Sequence, residues 1–231
     1  MSRPLRLELL EHRITPTYGL DPTFGFGGQA ITAPDSGLSD KVVVQANGKI
    51  LVLGDASHWL EIRRLSSDGT PDNTFGVGGL VVFGHGRSQL FPSNSGLALD
   101  SNGRIYSAVS LGSVESADAV VYRFNSDGTA DAGFGTGGVS SFDFPGATAS
   151  TVTGLAVMPD GRAVVLGDAD RPTTAGFSVA RLTATGTLDR TFDGDGFSRY
   201  EFGSEFAGGS SWANDVVVEI GRASCRERVC T

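Results

Sequence analysis

The chain has 231 residues, 33 of them glycine and 2 cysteine, with a formal net charge of −8. An ordinary proline count of 9, no three-residue glycine period and 39% hydrophobic residues exclude collagen and wholesale disorder. The acidic balance disfavours nucleic acid and anionic membranes as partners, since both need a basic footprint, and no run of 18 apolar residues is present to cross a bilayer as a helix.

In chain order, residues 1–16 form an N-terminal segment whose leucines are interrupted by Arg6, Glu8, Glu11, His12 and Arg13. An ordinary secretory signal needs an unbroken apolar core of about 7–15 residues, so the plain reading is a short amphipathic helix or a frayed end. Residues 17–40 read as the close of a preceding repeat, with a strand at Ala30-Ile31-Thr32, plus a linker. Three repeat units follow, at 41–91, 92–150 and 151–206, then the start of a fourth at 207–219 and a tail at 220–231.

The repeat rests on three markers in a constant order. Asp21-Pro-Thr-Phe24, Asp72-Asn-Thr-Phe75, Asp131-Ala-Gly-Phe134 and Asp189-Arg-Thr-Phe192 are each followed by a glycine cluster: GFGG, GVGG, GTGG and DGDG. Asn47-Gly48-Lys49, Asn102-Gly103-Arg104 and Asp160-Gly161-Arg162 keep the same period, as do Arg64-Leu65, Arg123-Phe124 and Arg181-Leu182. The period is ~58 residues, the signature of a stacked repeat architecture.

Each unit divides into four short strands. The first unit gives Val42–Val44, a tight two-residue Asn47-Gly48 hairpin, Ile50–Leu53, the alternating segment Leu60–Leu65, and Leu80–Phe83. The second gives Leu97–Leu99, Ile105–Val109, Ala119–Phe124 and Val139–Phe142. The third gives Leu155–Val157, Ala163–Leu166, Phe177–Leu182 and Phe197–Phe202. No segment after residue 20 keeps a 3.6-residue period over three turns, so helix is nearly absent. The fold class is therefore all-β: a β-propeller fragment of four-stranded antiparallel blades, about three complete and others partial. Phe75 and its counterparts are expected to pack between blades. Three units fall short of the typical 4–8 blades, which predicts a longer protein whose last blade is closed by the strand near residue 30.

Three resemblances add to this reading. The pattern ANGKILVLGD…IRRLSSDGTPDNTFGVGG resembles the bacterial delta-60 repeat family over roughly residues 20–219. That resemblance implies a β-propeller and no settled activity. Leu7-Glu8-Leu9-Leu10-Glu11-His12-Arg13 with Thr15-Pro16 resembles the LExLEDR…TP motif that opens planctomycete surface proteins, which implies export; His12 stands where the motif has Asp. Ile220–Val229 resembles a translated sequencing adaptor, which makes the tail foreign and leaves the remaining chain without cysteine.

The chemistry-bearing residues are few. His12, His58 and His85 fall at unrelated repeat positions without metal-ligand spacing. Asp189, Asp193 and Asp195 are the calcium candidates, because Ca²⁺ takes six to eight oxygens from such loops; the alternative is that Asp and Gly simply build turns. The glycine clusters lack the GxxxxGK[ST] and GxGxxG strings of phosphate loops, and no GxSxG, HExxH or HRD string occurs. No catalytic or cofactor-binding residue is assigned. Arg64, Arg123 and Arg181 read as structural edge cations beside acidic turns, with a ligand-facing ring as the alternative. The loops Asp55–Trp59, Ser110–Asp118 and Asp168–Gly176 differ most between units. The sequence thus points to a non-enzymatic binding or scaffold module of an exported or cell-surface protein. Its expected partners are a protein or polysaccharide ligand and further blades of the same chain. The alternatives are a propeller hydrolase or lyase with its site on the central channel, or a calcium-stabilised repeat protein.

Overall fold

The computed structural model describes residues 19–30, 39–56, 59–84, 95–113, 116–147, 149–169, 176–201, 212–219 and 222–228. The N-terminal motif and all three histidines lie outside the described residues. Among those described, no helix forms. The first sheet is β1 (Ser39–Val44), β2 (Ile50–Ala56), β3 (Trp59–Leu65) and β4 (Leu80–Phe83). The second is β5 (Ser95–Leu99), β6 (Ile105–Ser113), β7 (Ser116–Phe124) and β8 (Val139–Phe142). The third is β9 (Ser150–Val157), β10 (Ala163–Ala169), β11 (Gly176–Leu182) and β12 (Phe197–Glu201). A hairpin of β13 (Trp212–Glu219) and β14 (Arg222–Arg228) follows.

Each sheet is an antiparallel meander in sequence order. Its first strand lies against the first strand of the next sheet, so β1, β5, β9 and β13 run side by side. Sheets that fan out from adjacent inner strands are propeller blades. The sheets are hereafter blades 1, 2 and 3. The tail from Gly221 onward, read above as foreign, contributes β14, which pairs with β13.

The core lies between blades. Leu51, Leu53, Ile62 and Phe75 of blade 1 pack with Leu97, Ile105 and Phe124 of blade 2. Tyr106, Val121 and Phe134 of blade 2 pack with Leu155, Val165 and Leu182 of blade 3. Val164, Leu166 and Val179 of blade 3 close against Val216 of β13. Strand alternation explains this: successive residues face opposite sides, and both sides of an inner blade are covered. Glycine permits the closest approach of inner strands. A Cβ on Gly96 of β5 would stand 2.3 Å from the Cβ of Leu155.

Two expectations change. The Asn47-Gly48 turn is not a two-residue hairpin. Gln45 pairs with Lys49 (N···O 2.8 Å), leaving three residues in the loop, and only Gly48 has positive φ (82°). This is a type I turn closed by a left-handed glycine, the usual three-residue hairpin. Blades 2 and 3 repeat it at Gly103 and Gly161. The segment Ser110–Asp118, read as a loop, is mostly strand: β6 and β7 pair as far as Ser113 and Ser116.

Candidate functional site

The most regular polar arrangement is a clamp built once per blade. In blade 1, Arg64 projects from β3 toward the loop that leads to β4. Its Nε donates to Oδ2 of Asp72 at 2.7 Å, and its Nη2 donates to Oγ1 of Thr74 at 3.2 Å. Its guanidinium lies 4.6 Å from the centroid of the Phe75 ring. Asp72 is held by its own loop, its Oδ1 accepting the N–H of Thr74 at 3.1 Å and its hydroxyl at 2.6 Å. Lys49, from the hairpin turn, donates to the same Oδ2 of Asp72 at 2.7 Å. Blade 3 repeats the set with Arg181, Asp189, Thr191 and Phe192, and Arg162 stands 3.6 Å from Asp189. Blade 2 uses Arg123, Asp131 and Phe134, with Gly133 in place of the threonine and Arg104 3.8 Å from the carboxylate.

These partners fix the carboxylates as anions. The hydrogen bond from Lys49, then those from Thr74, with Arg64 adding its charge, hold Asp72 well below the usual carboxylate range. Asp189 is lowered to about 2, first by the Thr191 hydroxyl and, against the opposing effect of burial, by the Thr191 N–H and Arg181. For Asp131 burial acts upward, but the Gly133 N–H, Arg123 and Arg104 outweigh it and the pKa is lowered. Charge partners and hydrogen bonds to the ionised form both act in this direction.

The clamp also crosses to the next blade. Nη1 of Arg64 donates to the carbonyl of Ser126 at 2.6 Å, and the N–H of Gly76 donates to the next carbonyl, Asp127, at 2.8 Å. The Phe75 ring lies flush on the following residue, Gly128, where a Cβ would come within 2.9 Å of it. The same three contacts recur from blade 2 to blade 3. Arg123 Nη1 reaches the Ala184 carbonyl at 2.5 Å, Gly135 N reaches the Thr185 carbonyl at 2.8 Å, and Phe134 covers Gly186. Residues 19–30 supply the later part of this set to blade 1, with Gly25 N donating to Asp68 O at 2.6 Å and Phe24 against Gly69.

The arginines are structural and pair with the acidic turns, as expected, but they do not stand at an edge. Arg64 and Arg123 are buried, 7% and 2% exposed, and pair with the aspartate eight residues on rather than with Asp68 or Asp127. Asp68 and Asp127 instead accept the N–H and hydroxyl of Thr70 and Thr129, as turn-forming aspartates do. The signal that could have identified the pairs is the constant Arg-to-Asp spacing in all three repeats.

Two departures from regularity stand out. Tyr106 replaces the aliphatic residue of the other blades (Leu51, Val164). Its hydroxyl is buried among the Gly161 carbonyl (3.2 Å), Arg123 Nη1 (3.3 Å) and Asp100 (3.4 Å), so it ties blade 2 to blade 3. In the DGDG segment, Asp193 keeps the positive φ of its counterpart Gly76 (49° against 52°), a conformation that Asp tolerates better than most residues.

Of the calcium candidates, Asp189 is buried in the clamp, Asp193 is exposed, and Asp195 accepts the Phe197 N–H at 2.9 Å. Among the described residues, no group of three or more His, Cys, Asp or Glu is arranged to hold a metal ion. One carboxyl pair was not foreseen. Asp118, at an exposed position of β7, stands beside Asp143 beyond β8; partial loss of solvent around its carboxyl, followed by the Asp143 charge, raises its pKa.

No curated protein matches the chain. Three segments, residues 45–75, 101–134 and 159–192, match the family model of a domain of unknown function (DUF5122) beta-propeller, each running from the hairpin turn of one blade to its clamp phenylalanine.

Proposed function

We propose that the chain is a non-enzymatic propeller module of the delta-60 type, a scaffold or binding domain of an exported surface protein. One observation carries this reading: the recurrent charged residues of every blade are engaged with one another or with the neighbouring blade's backbone. Groups so engaged maintain geometry and leave ligand recognition to surfaces that vary between blades. The LExLEDR-like N-terminus supports export.

The test is a paired screen of the purified chain against protein and polysaccharide arrays and against glycoside, ester and uronide substrates. Saturable binding without turnover supports the module. Turnover above a heat-treated control overturns it. The Asp118–Asp143 pair favours the second reading, a hydrolase or lyase, since a carboxyl with a raised pKa beside a second carboxyl suits acid–base work. Under that reading Asp118→Asn abolishes turnover while the melting temperature stays unchanged.

A further inference from the structure

The first turn of blades 1 and 2 carries Asn-Gly, at Asn47-Gly48 and Asn102-Gly103, and that of blade 3 carries Asp160-Gly161. Asn47, Asn102 and Asp160 are all exposed. Blade 2 has a neighbour packed on either side, so the exposure of Asn102 belongs to the turn itself. The three loops share one backbone. In blade 2 the Asp100 N–H donates to the Arg104 carbonyl at 3.1 Å, and the Gly103 N–H donates to the Asp100 carbonyl at 3.0 Å.

The side chains at the tips are held differently. In blade 1, Oδ1 of Asn47 accepts the N–H of Lys49 at 3.1 Å, and in blade 3, Oδ1 of Asp160 accepts the N–H of Arg162 at 3.1 Å. In blade 2 the matching N–H is already taken. Asp100 stands where the other blades have Gln45 and Met158, and its Oδ1 accepts the N–H groups of Asn102 and Arg104, both at 2.9 Å. Among the described residues, the Asn102 carboxamide is therefore left without a hydrogen bond. The residue that follows it has no Cβ to crowd an approach to its nitrogen.

We propose that Asn102 is a site of spontaneous deamidation and that it reacts ahead of Asn47. The Gly103 nitrogen attacks Cγ of Asn102 and gives up its proton, the carboxamide nitrogen leaves as ammonia, and a five-membered succinimide closes. Solvent water opens the ring at either carbonyl, leaving aspartate or isoaspartate at position 102. Nothing is oxidised or reduced. At Asn47 the bond to the Lys49 N–H must first be given up. The aspartate product has a counterpart in blade 3, where Nε and Nη2 of Arg162 each hold Asp160 at 2.8 Å. In blade 2 the equivalent Arg104 is bound to Asp100 at 2.6 Å, so the new carboxylate competes for it.

The test is to incubate the full chain at physiological temperature in mildly alkaline buffer, folded and in guanidinium chloride. Tandem mass spectrometry of tryptic peptides 42–49 and 88–104 then follows each asparagine separately. In the folded chain, conversion at Asn102 should outpace that at Asn47 by about 2–10-fold, the factor that one neutral hydrogen bond commands. In denaturant, where neither turn exists, the two rates should converge. No conversion at Asn102 overturns the proposal, as does conversion at Asn47 that is equal or faster in the folded chain. The same ratio in denaturant also overturns it, because the difference then comes from neighbours in sequence and not from the turn.

Discussion

Gly128→Ala tests how closely the blades meet. Gly128 adopts φ +93°, and a Cβ there would stand 2.7 Å from a methyl of Val81 and 2.9 Å from both the Gly76 nitrogen and the Phe75 ring. Two costs arise. Placing alanine in the left-handed region costs roughly 1–2 kcal/mol. Forcing a methyl between blades, against backbone and a packed ring, costs about 1–3 kcal/mol more. Alanine also restricts the unfolded chain, which offsets about 0.4–1 kcal/mol. The net loss is about 1–5 kcal/mol, or about 2–18 °C in melting temperature for a chain of this size. Gly78→Ala isolates the second cost, since Gly78 also has positive φ (+64°) but no atom within 4 Å of its Cβ. Urea and thermal melts of both variants should separate by about 1–3 kcal/mol. Equal losses would refute the claim that the turn of one blade is pressed on the phenylalanine of the last.

Further outcomes follow from the same geometry. Arg123→Met leaves the Asp131 carboxylate without its nearest cation and the Ala184 carbonyl without a donor; urea titration should show a loss of about 2–4 kcal/mol, short of a fully buried pair because Asp131 keeps some solvent and Arg104. Arg181→Met should cost less in the same assay, since Arg181 is more exposed. Because Asp189 is depressed to about 2, its contribution is complete above about pH 4 and is lost as pH falls from about 4 through 2. Melting temperature should therefore drop over that window, and the drop should shrink in Asp189→Asn. Adding calcium or a chelator should leave the melting temperature unchanged, because the Asp189 carboxylate is already bonded to Arg181 and Thr191; a rise of several degrees with calcium would contradict this.

The strands were legible because alternation and turn residues are local signals. Leu60–Leu65 alternates in sequence and forms all of β3 but its first residue, although its burial does not alternate, since Glu61 and Arg64 are buried as well as Ile62 and Leu65. The hairpin at Asn47-Gly48 was misjudged because that dipeptide suits a two-residue turn, while the β1–β2 register places three residues in the loop. The clamp was legible only as recurrence. Nothing near Arg64 indicates that its guanidinium reaches the carbonyl of Ser126, 62 residues away, since backbone carbonyls leave no mark in side-chain identity. The Asp118–Asp143 pair escaped for a related reason: it joins the ends of two strands whose register only folding sets.

The receiving half of the clamp consists of two carbonyl oxygens and a glycine. Ser-Asp-Gly in blades 1 and 2 and Ala-Thr-Gly in blade 3 therefore serve equally well. Such a junction is indifferent to which copy of the repeat stands on either side. Tandem duplication or loss of a whole ~58-residue unit in the gene leaves these backbone contacts of each seam intact, so blade number can drift while surface loops and the Tyr106 tie diverge.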